Sequence, residues 1–154
     1  GGPDGISSST SLQAGCVRLT ERFLRSDPPT PLELEAAADG VRALLPALEV
    51  AAAIGVAGTV TTAAAIDLDL AAYDPERIDG HRLSRTAVDR ITARLAALPL
   101  SRRERVRGLE PARAPVIVGG LVALREVLRR YDLDTIEASE RDILHGAALA
   151  AAMT

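Results

Sequence analysis

An apolar run that breaks into two closely spaced glycines and three threonines constrains this chain more than any other stretch. Residues 54–62 read Ile-Gly-Val-Ala-Gly-Thr-Val-Thr-Thr, and Ala63, Ala64, Ala65 and Ile66 follow. An apolar run, a small-residue turn and a helix-forming run predict a strand, a tight crossing and a helix, in that order. Such a junction has to sit between a sheet layer and a helix layer, so the fold class is α/β or mixed α+β. Backbone N–H groups at a strand-to-helix turn point outward, and the helix dipole favours an anion there. Small residues let a phosphate approach the backbone, and threonine hydroxyls add donors. The same residues also suit close packing in a core. The stretch has no Lys for a Walker A loop and no dinucleotide fingerprint. Both readings stay open from the pattern alone.

The 154 residues suffice for one domain with its own core, taken here as 1–154. The chain is 47% hydrophobic but only 2% aromatic, with no Trp, so Ala, Leu and Val must fill that core. All basic residues are Arg, which reads with the Ala richness as a coding bias. A net charge of -3 gives no electrostatic case for nucleic acid or an anionic membrane. A single cysteine, Cys16, excludes an internal disulfide and a cysteine zinc cluster. It reads as a small buried residue rather than a nucleophile. No segment reaches the roughly 20 apolar residues that span a bilayer. The first residues lack a basic start and an apolar centre, so they are not read as a signal peptide. The expected setting is cytoplasmic. The chain opens in Gly-Gly-Pro-Asp-Gly without an initiator Met, which suggests a piece of a longer protein.

Along the chain, residues 6–13 are rich in Ser and Thr and predict a polar strand. Val17, Leu19 and Phe23 fit a strand turning into a short helix. Thr30-Pro31-Leu32-Glu33 matches a helix start, with Thr30 as cap, Pro31 at the first position and Glu33 closing a capping box. Val41, Leu44, Leu45 and Leu48 then repeat at helical spacing. Residues 50–56 read as a buried strand, and 59–70 as a helix. Asp74-Pro75 and Asp79-Gly80 mark a loop. Ser84 caps a helix that buries Val88, Ile91, Leu95 and Leu98 and stops at Pro99. Another helix starts near Pro115 and buries Val118, Leu121, Leu124, Val127, Leu128 and Tyr131. Residues 134–139 are a strand. Ile143, Leu144, Ala147, Ala148 and Ala151 face inward on a last helix. Three strands make a thin sheet, which again suggests a missing part. The missing strand would leave 6–13 as an edge that pairs with another chain, giving a homodimer.

The candidate chemistry is sparse. Arg102, Arg103, Arg105, Arg107 and Arg113 form a run that either guides a polyanion or is a solvated loop offset by Glu104 and Glu110. His81 and His145 are far apart without ligand-like spacing, so no metal site is expected from them. His81 reads as an exposed loop residue. The acidic residues, among them Glu21, Asp67, Asp69 and Glu137, form no catalytic pair.

Four stretches nevertheless fall in a telling order: GCVRLTE (15–21), GVAGTVTTAAAI (55–66), GLEPARAPVIVGGLVAL (108–124) and ASERDILHG (138–146). Their order and spacing resemble the second lobe of the Ppx/GppA family, the exopolyphosphatases and guanosine pentaphosphate phosphohydrolases, from about residue 11 to the end. The Arg- and Ala-rich style resembles the actinobacterial branch. The resemblance implies an actin-like ATPase superfamily lobe with a ribonuclease H-like sheet flanked by helices. It implies hydrolysis of a terminal phosphoanhydride in polyphosphate or guanosine pentaphosphate, with Mg²⁺ and a first-lobe carboxylate as base for water. The catalytic Glu and the glycine-rich phosphate loop that such enzymes carry do not occur here, so no catalytic residue is assigned and the fragment alone is expected to be inactive. By the same resemblance Gly55, Gly58, Thr59, Thr61 and Thr62 form the nucleotide-side loop of the cleft. Arg102, Arg103 and Arg105 are candidate polyanion contacts at its mouth. Ser139 and Gly146 match a structural junction. The family often has an acidic residue where His145 stands, Asp where Pro115 stands and Pro where Arg107 stands, which bears on substrate preference. The alternative is a non-catalytic nucleotide- or alarmone-binding module of the same fold.

Overall fold

The segment that the sequence splits between strand and helix is helical throughout: α1 runs Cys16–Phe23. The computed structural model describes Gly5, Ile6, residues 8–141 and Ala151. Helical spacing puts Cys16, Leu19 and Thr20 toward a later helix, where a glycine pair admits them, while Val17 stays 51% exposed. Tertiary packing thus overrides the local preference of Val17 and Thr20 for a strand. Residue 6 and residues 8–14 form no strand, so the polar edge strand expected at 6–13 is not there, and neither is the edge on which a homodimer was argued.

α2 (Pro31–Arg42) starts at the expected cap. The Thr30 hydroxyl accepts from the Glu33 N–H at 3.3 Å, and the Glu33 carboxylate accepts from the Thr30 N–H at 2.7 Å. That carboxylate also accepts from the Arg25 and Ser26 N–H groups. These bonds, the Thr30 one foremost, push its pKa down to about 2 from 4.5. A depressed folded-state pKa contributes stability above the unfolded value and loses it as pH falls through the folded value. The stability difference between the parent chain and Glu33→Gln, read from urea midpoints, is therefore expected to be full above pH 4.5 and to fade toward pH 2. A difference that grows on acidification would show that the carboxylate does not make these bonds in solution.

The helix stops at Arg42, short of the predicted apolar positions. Pro46 cannot continue it, and Leu44 and Leu48 are 40% and 50% exposed in the linker that follows. The next strand is shorter and less buried than predicted. β1 covers only Ile54–Val56, and of these only Gly55 faces inward. A strand covered on one face alternates, so Ile54 and Val56 point away from the core.

α3 (Gly58–Asp67) is buried on every side, with each residue from Val60 to Ile66 inaccessible. Its three alanines leave room for backbone to approach. α4 (Pro75–Ile78) is a single turn capped by the Asp74 carboxylate. β2 (Arg82–Ser84) leads into α5 (Arg85–Ala96), capped by the Ser84 hydroxyl as predicted, with Val88, Ile91 and Leu95 buried. α6 (Leu100–Arg103) and a 3-10 turn at Pro111–Arg113 lie within the segment read as a charged loop. α7 (Ile117–Arg130) is the central helix, packed on α1, α2, α3 and α5. It carries a buried carboxylate, Glu126, which accepts from Arg42 of α2 at 3.0 Å and from Arg125 at 3.1 Å. β3 (Thr135–Ser139) matches its prediction.

The sheet has the order β1-β3-β2. β1 runs parallel to β3 with Gly55 opposite Ala138, and β2 runs antiparallel with Leu83 opposite Ile136. α3 fills the crossover side. Of the predicted last helix, residues 143, 144, 147 and 148 lie outside the described residues, and Ala151 is helical but exposed. No helix among the described residues is long and apolar enough to cross a membrane.

Candidate functional site

The junction between β1 and α3 is the most unusual piece of backbone in the chain. Ala57 caps α3 at φ 65° and ψ 179°, a region that is essentially reserved for glycine and costs on the order of 1–3 kcal/mol for other residues. No side chain caps α3 there, so its first N–H groups and its dipole face outward. Gly58 follows, and the Arg113 guanidinium lies against it so closely that any side chain at 58 would collide with it. Arg113 is steered there by Glu110, whose carboxylate accepts from its Nε at 3.2 Å. Beyond Arg113 lies an open cleft of about 630 Å³, lined by Thr62, Leu70 to Tyr73, Gly108 to Pro111 and Arg113.

The five predicted loop residues divide between this surface and the core. Gly55 is buried, with Val60 and Ile136 occupying the space a side chain would need. Thr61 is 5% exposed, and its hydroxyl donates to the Ala57 carbonyl at 3.3 Å. Thr62 is buried but contributes to the cleft wall. Gly58 and Thr59 stand half-buried at the open end of α3. Gly120 of α7 brings a second helix start to the same place. A Cβ at Gly120 would meet the Thr59 hydroxyl at 2.5 Å and the Cys16 Cβ at 3.2 Å. The start of α1, which also has no side-chain cap, therefore lies beside the start of α3. Cys16 is half-buried rather than fully buried.

The arginine run behaves differently from its sequence reading. Arg102 and Arg105 are exposed and do not line the cleft. Arg103, expected beside them as a polyanion contact, is 4% exposed. Its guanidinium donates to the carbonyls of Leu95, Leu98 and Ala114 at 3.0, 2.7 and 3.2 Å, with Asp27 at 3.5 Å. Burial lowers its pKa and the Asp27 charge opposes that. With its donors so engaged, Arg103 is a structural clamp. Arg113, which the sequence places at the end of the run without distinguishing it, is the arginine that reaches the cleft. Only its place in a proline-started turn after Glu110 hints at this.

His81 is not the exposed loop residue predicted. It is half-buried, its Nε2 lies 3.0 Å from the Asp67 carboxylate, and Arg90 reaches the other oxygen of that carboxylate at 2.7 Å. His145 lies outside the described residues. Among the described residues no group of three His, Cys, Asp or Glu side chains could hold a metal ion. Mg²⁺, implied by the family resemblance, is usually held by one or two carboxylates together with substrate phosphates, and no ligand for it is assigned in this chain.

The model of the Ppx/GppA phosphatase family matches residues 4–152. The chain belongs to that family. Exopolyphosphatase 2 of Mycobacterium tuberculosis is 39% identical over 158 residues, which cover 96% of this chain and 50% of that protein. A bifunctional 3-dehydroquinate synthase/phosphatase of Fusobacterium nucleatum is 34% identical, across 97% of this chain and 23% of its own length. The crystal structure of the Aquifex aeolicus Ppx/GppA family member superposes with a TM-score of 0.89 at 26% identity, covering 99% of this chain and 51% of that one. This Ppx/GppA chain thus spans half or less of the length of the two curated relatives. Its small mixed sheet flanked by helices is the architecture of those structures, which have the actin-like ATPase fold.

Proposed function

We propose that this chain is the second lobe of a two-lobe phosphohydrolase that releases terminal phosphate from inorganic polyphosphate or guanosine pentaphosphate. The observation that carries this reading is the outward-facing start of α3 with the Arg113 guanidinium laid on Gly58. Main-chain N–H groups, a helix dipole and a planar cation are the groups that hold phosphate oxygens. The strained Ala57 fixes that surface before a ligand arrives, so little ordering remains to be done on binding. In this reading Gly58, Thr59 and Arg113 position the phosphate chain, while the attacking water, its base and the ligands of any Mg²⁺ come from the first lobe. The charge that builds on the transferred phosphate is met by donors already in place.

A second reading, a non-catalytic nucleotide- or alarmone-binding module, is favoured by one observation. The cleft beyond Arg113 carries apolar residues, Leu70, Ala71, Ala72 and Leu109, which bare polyphosphate would not use. The deciding experiment measures phosphate release from polyphosphate and from guanosine pentaphosphate by the two-lobe protein that carries this chain. Hydrolysis is expected, with none from the 154-residue chain alone. Arg113→Ala should lower kcat/KM by about 10- to 100-fold, the loss of one charged hydrogen-bond partner. Tight nucleotide binding without hydrolysis would favour the second reading. An Arg113→Ala variant with unchanged kcat/KM would remove Arg113 from the site.

A further inference from the structure

Asp79 lies outside the cleft, yet its carboxylate gathers the end of β3. Its Oδ1 accepts from the Ser139 hydroxyl and from the Glu140 N–H, each at 3.0 Å, and Arg141 lies 3.7 Å from its Oδ2. The flanking backbone is locked to the same strand. The Gly80 N–H donates to the Ala138 carbonyl, and the Ala138 N–H donates to the His81 carbonyl, both at 2.8 Å. Gly80 itself needs φ 80° to make the turn. The residue so fixed, Glu140, accepts a hydrogen bond from the Tyr73 hydroxyl. Tyr73 lines the cleft and is 58% exposed. An exposed aromatic ring would ordinarily rotate freely. Here its hydroxyl is tied to Glu140, which fixes where the side chain sits along the cleft wall.

We propose that Asp79 is a positioning residue for the substrate cleft: by fixing the main chain at Ser139 and Glu140 it keeps the Glu140 carboxylate on the Tyr73 hydroxyl, and so holds the cleft wall that Tyr73 forms. This rests on the cleft being the substrate site. The two ends of the device lie 61 residues apart in sequence, at Asp79 and Glu140, and meet through one carboxylate. Partial burial raises the Tyr73 phenol above its ordinary range, Glu140 adds to that rise, and Thr61 and Arg113 oppose it. The phenol therefore reports whether Glu140 is in place.

The test has a spectroscopic arm and a kinetic arm. The 154-residue chain has two tyrosines and no Trp, so tyrosinate absorbance identifies Tyr73 by comparison with Tyr73→Phe. Asp79→Ala is expected to release Glu140 and let Tyr73 ionise at lower pH. Asp79→Asn keeps an oxygen at the Oδ1 position and is expected to restore the parent titration. In the two-lobe protein, Asp79→Ala and Tyr73→Phe should each raise KM about 3- to 10-fold while kcat stays within about twofold. The double variant should be no worse than either single one, because coupled residues are non-additive. An unchanged Tyr73 titration in Asp79→Ala, KM effects that multiply, or an unchanged KM would each overturn the proposal. Absence of hydrolysis by the parent would overturn the functional reading alone, and the titration would still decide whether Asp79 holds Tyr73.

Discussion

Replacing Gly108 with alanine is expected to lower the thermal midpoint of the 154-residue chain by roughly 5–20 °C. Two independent costs meet at this position. Gly108 sits at φ 78°, where a side chain costs about 1–2 kcal/mol. The added Cβ would also run into main-chain atoms of Ala65 and Ile66 on α3. Backbone cannot rotate away as a side-chain tip can, so overpacking adds about 1–3 kcal/mol. Gly80 supplies the control. Its φ is 80°, but a Cβ there would meet nothing within 4 Å. Gly80→Ala should therefore show the conformational cost alone. Equal losses at the two positions, measured by calorimetry, would show that the loop does not lie on α3 as described.

The second large effect is at Arg103. Arg103→Met keeps the length and apolar stem of the side chain but removes every donor. The carbonyls of Leu95, Leu98 and Ala114 then lose their guanidinium partner. The Leu95 carbonyl keeps the Leu98 N–H at 3.3 Å, and leaving the other two acceptors unpaired costs about 1–3 kcal/mol each, so a total loss of about 2–6 kcal/mol is expected. Arg103→Lys should recover only part of it, since one ammonium cannot span three divergent carbonyls. Arg102→Ala and Arg105→Ala, both at exposed positions, are expected to leave the midpoint nearly unchanged. A substitution at Arg103 that weakened polyphosphate binding without touching stability would restore the polyanion role that burial denies it.

What the sequence revealed about this fold is what is encoded locally. The capping box at Thr30 and Glu33, the Ser84 cap and the β3 span each depend on neighbours within a few residues. What it hid depends on distant partners. Nothing in the arginine run distinguishes Arg103 from Arg102, because the difference is Asp27 and the carbonyls around it, brought from elsewhere in the chain. The apolar positions Leu44, Leu45 and Leu48 keep helical spacing after the helix has ended, since one proline outweighs a periodic pattern. The candidate site was half legible. The small residues after β1 predicted the strand-to-helix junction that the structure has, but which of them face outward depends on α7 and Arg113. The Asp79 connection to Glu140 could not be found from spacing at all.

The burial of α3 has a mechanical side. A helix without a solvent-facing stripe cannot tilt or fray at one end without disturbing the elements around it, here α5, α7, β1, β2 and β3. A ligand gripping its first turn would therefore act on a buried core helix, not on a loop that opens by itself. Occupancy of the proposed phosphate surface should then register in hydrogen exchange as added protection spread through the core.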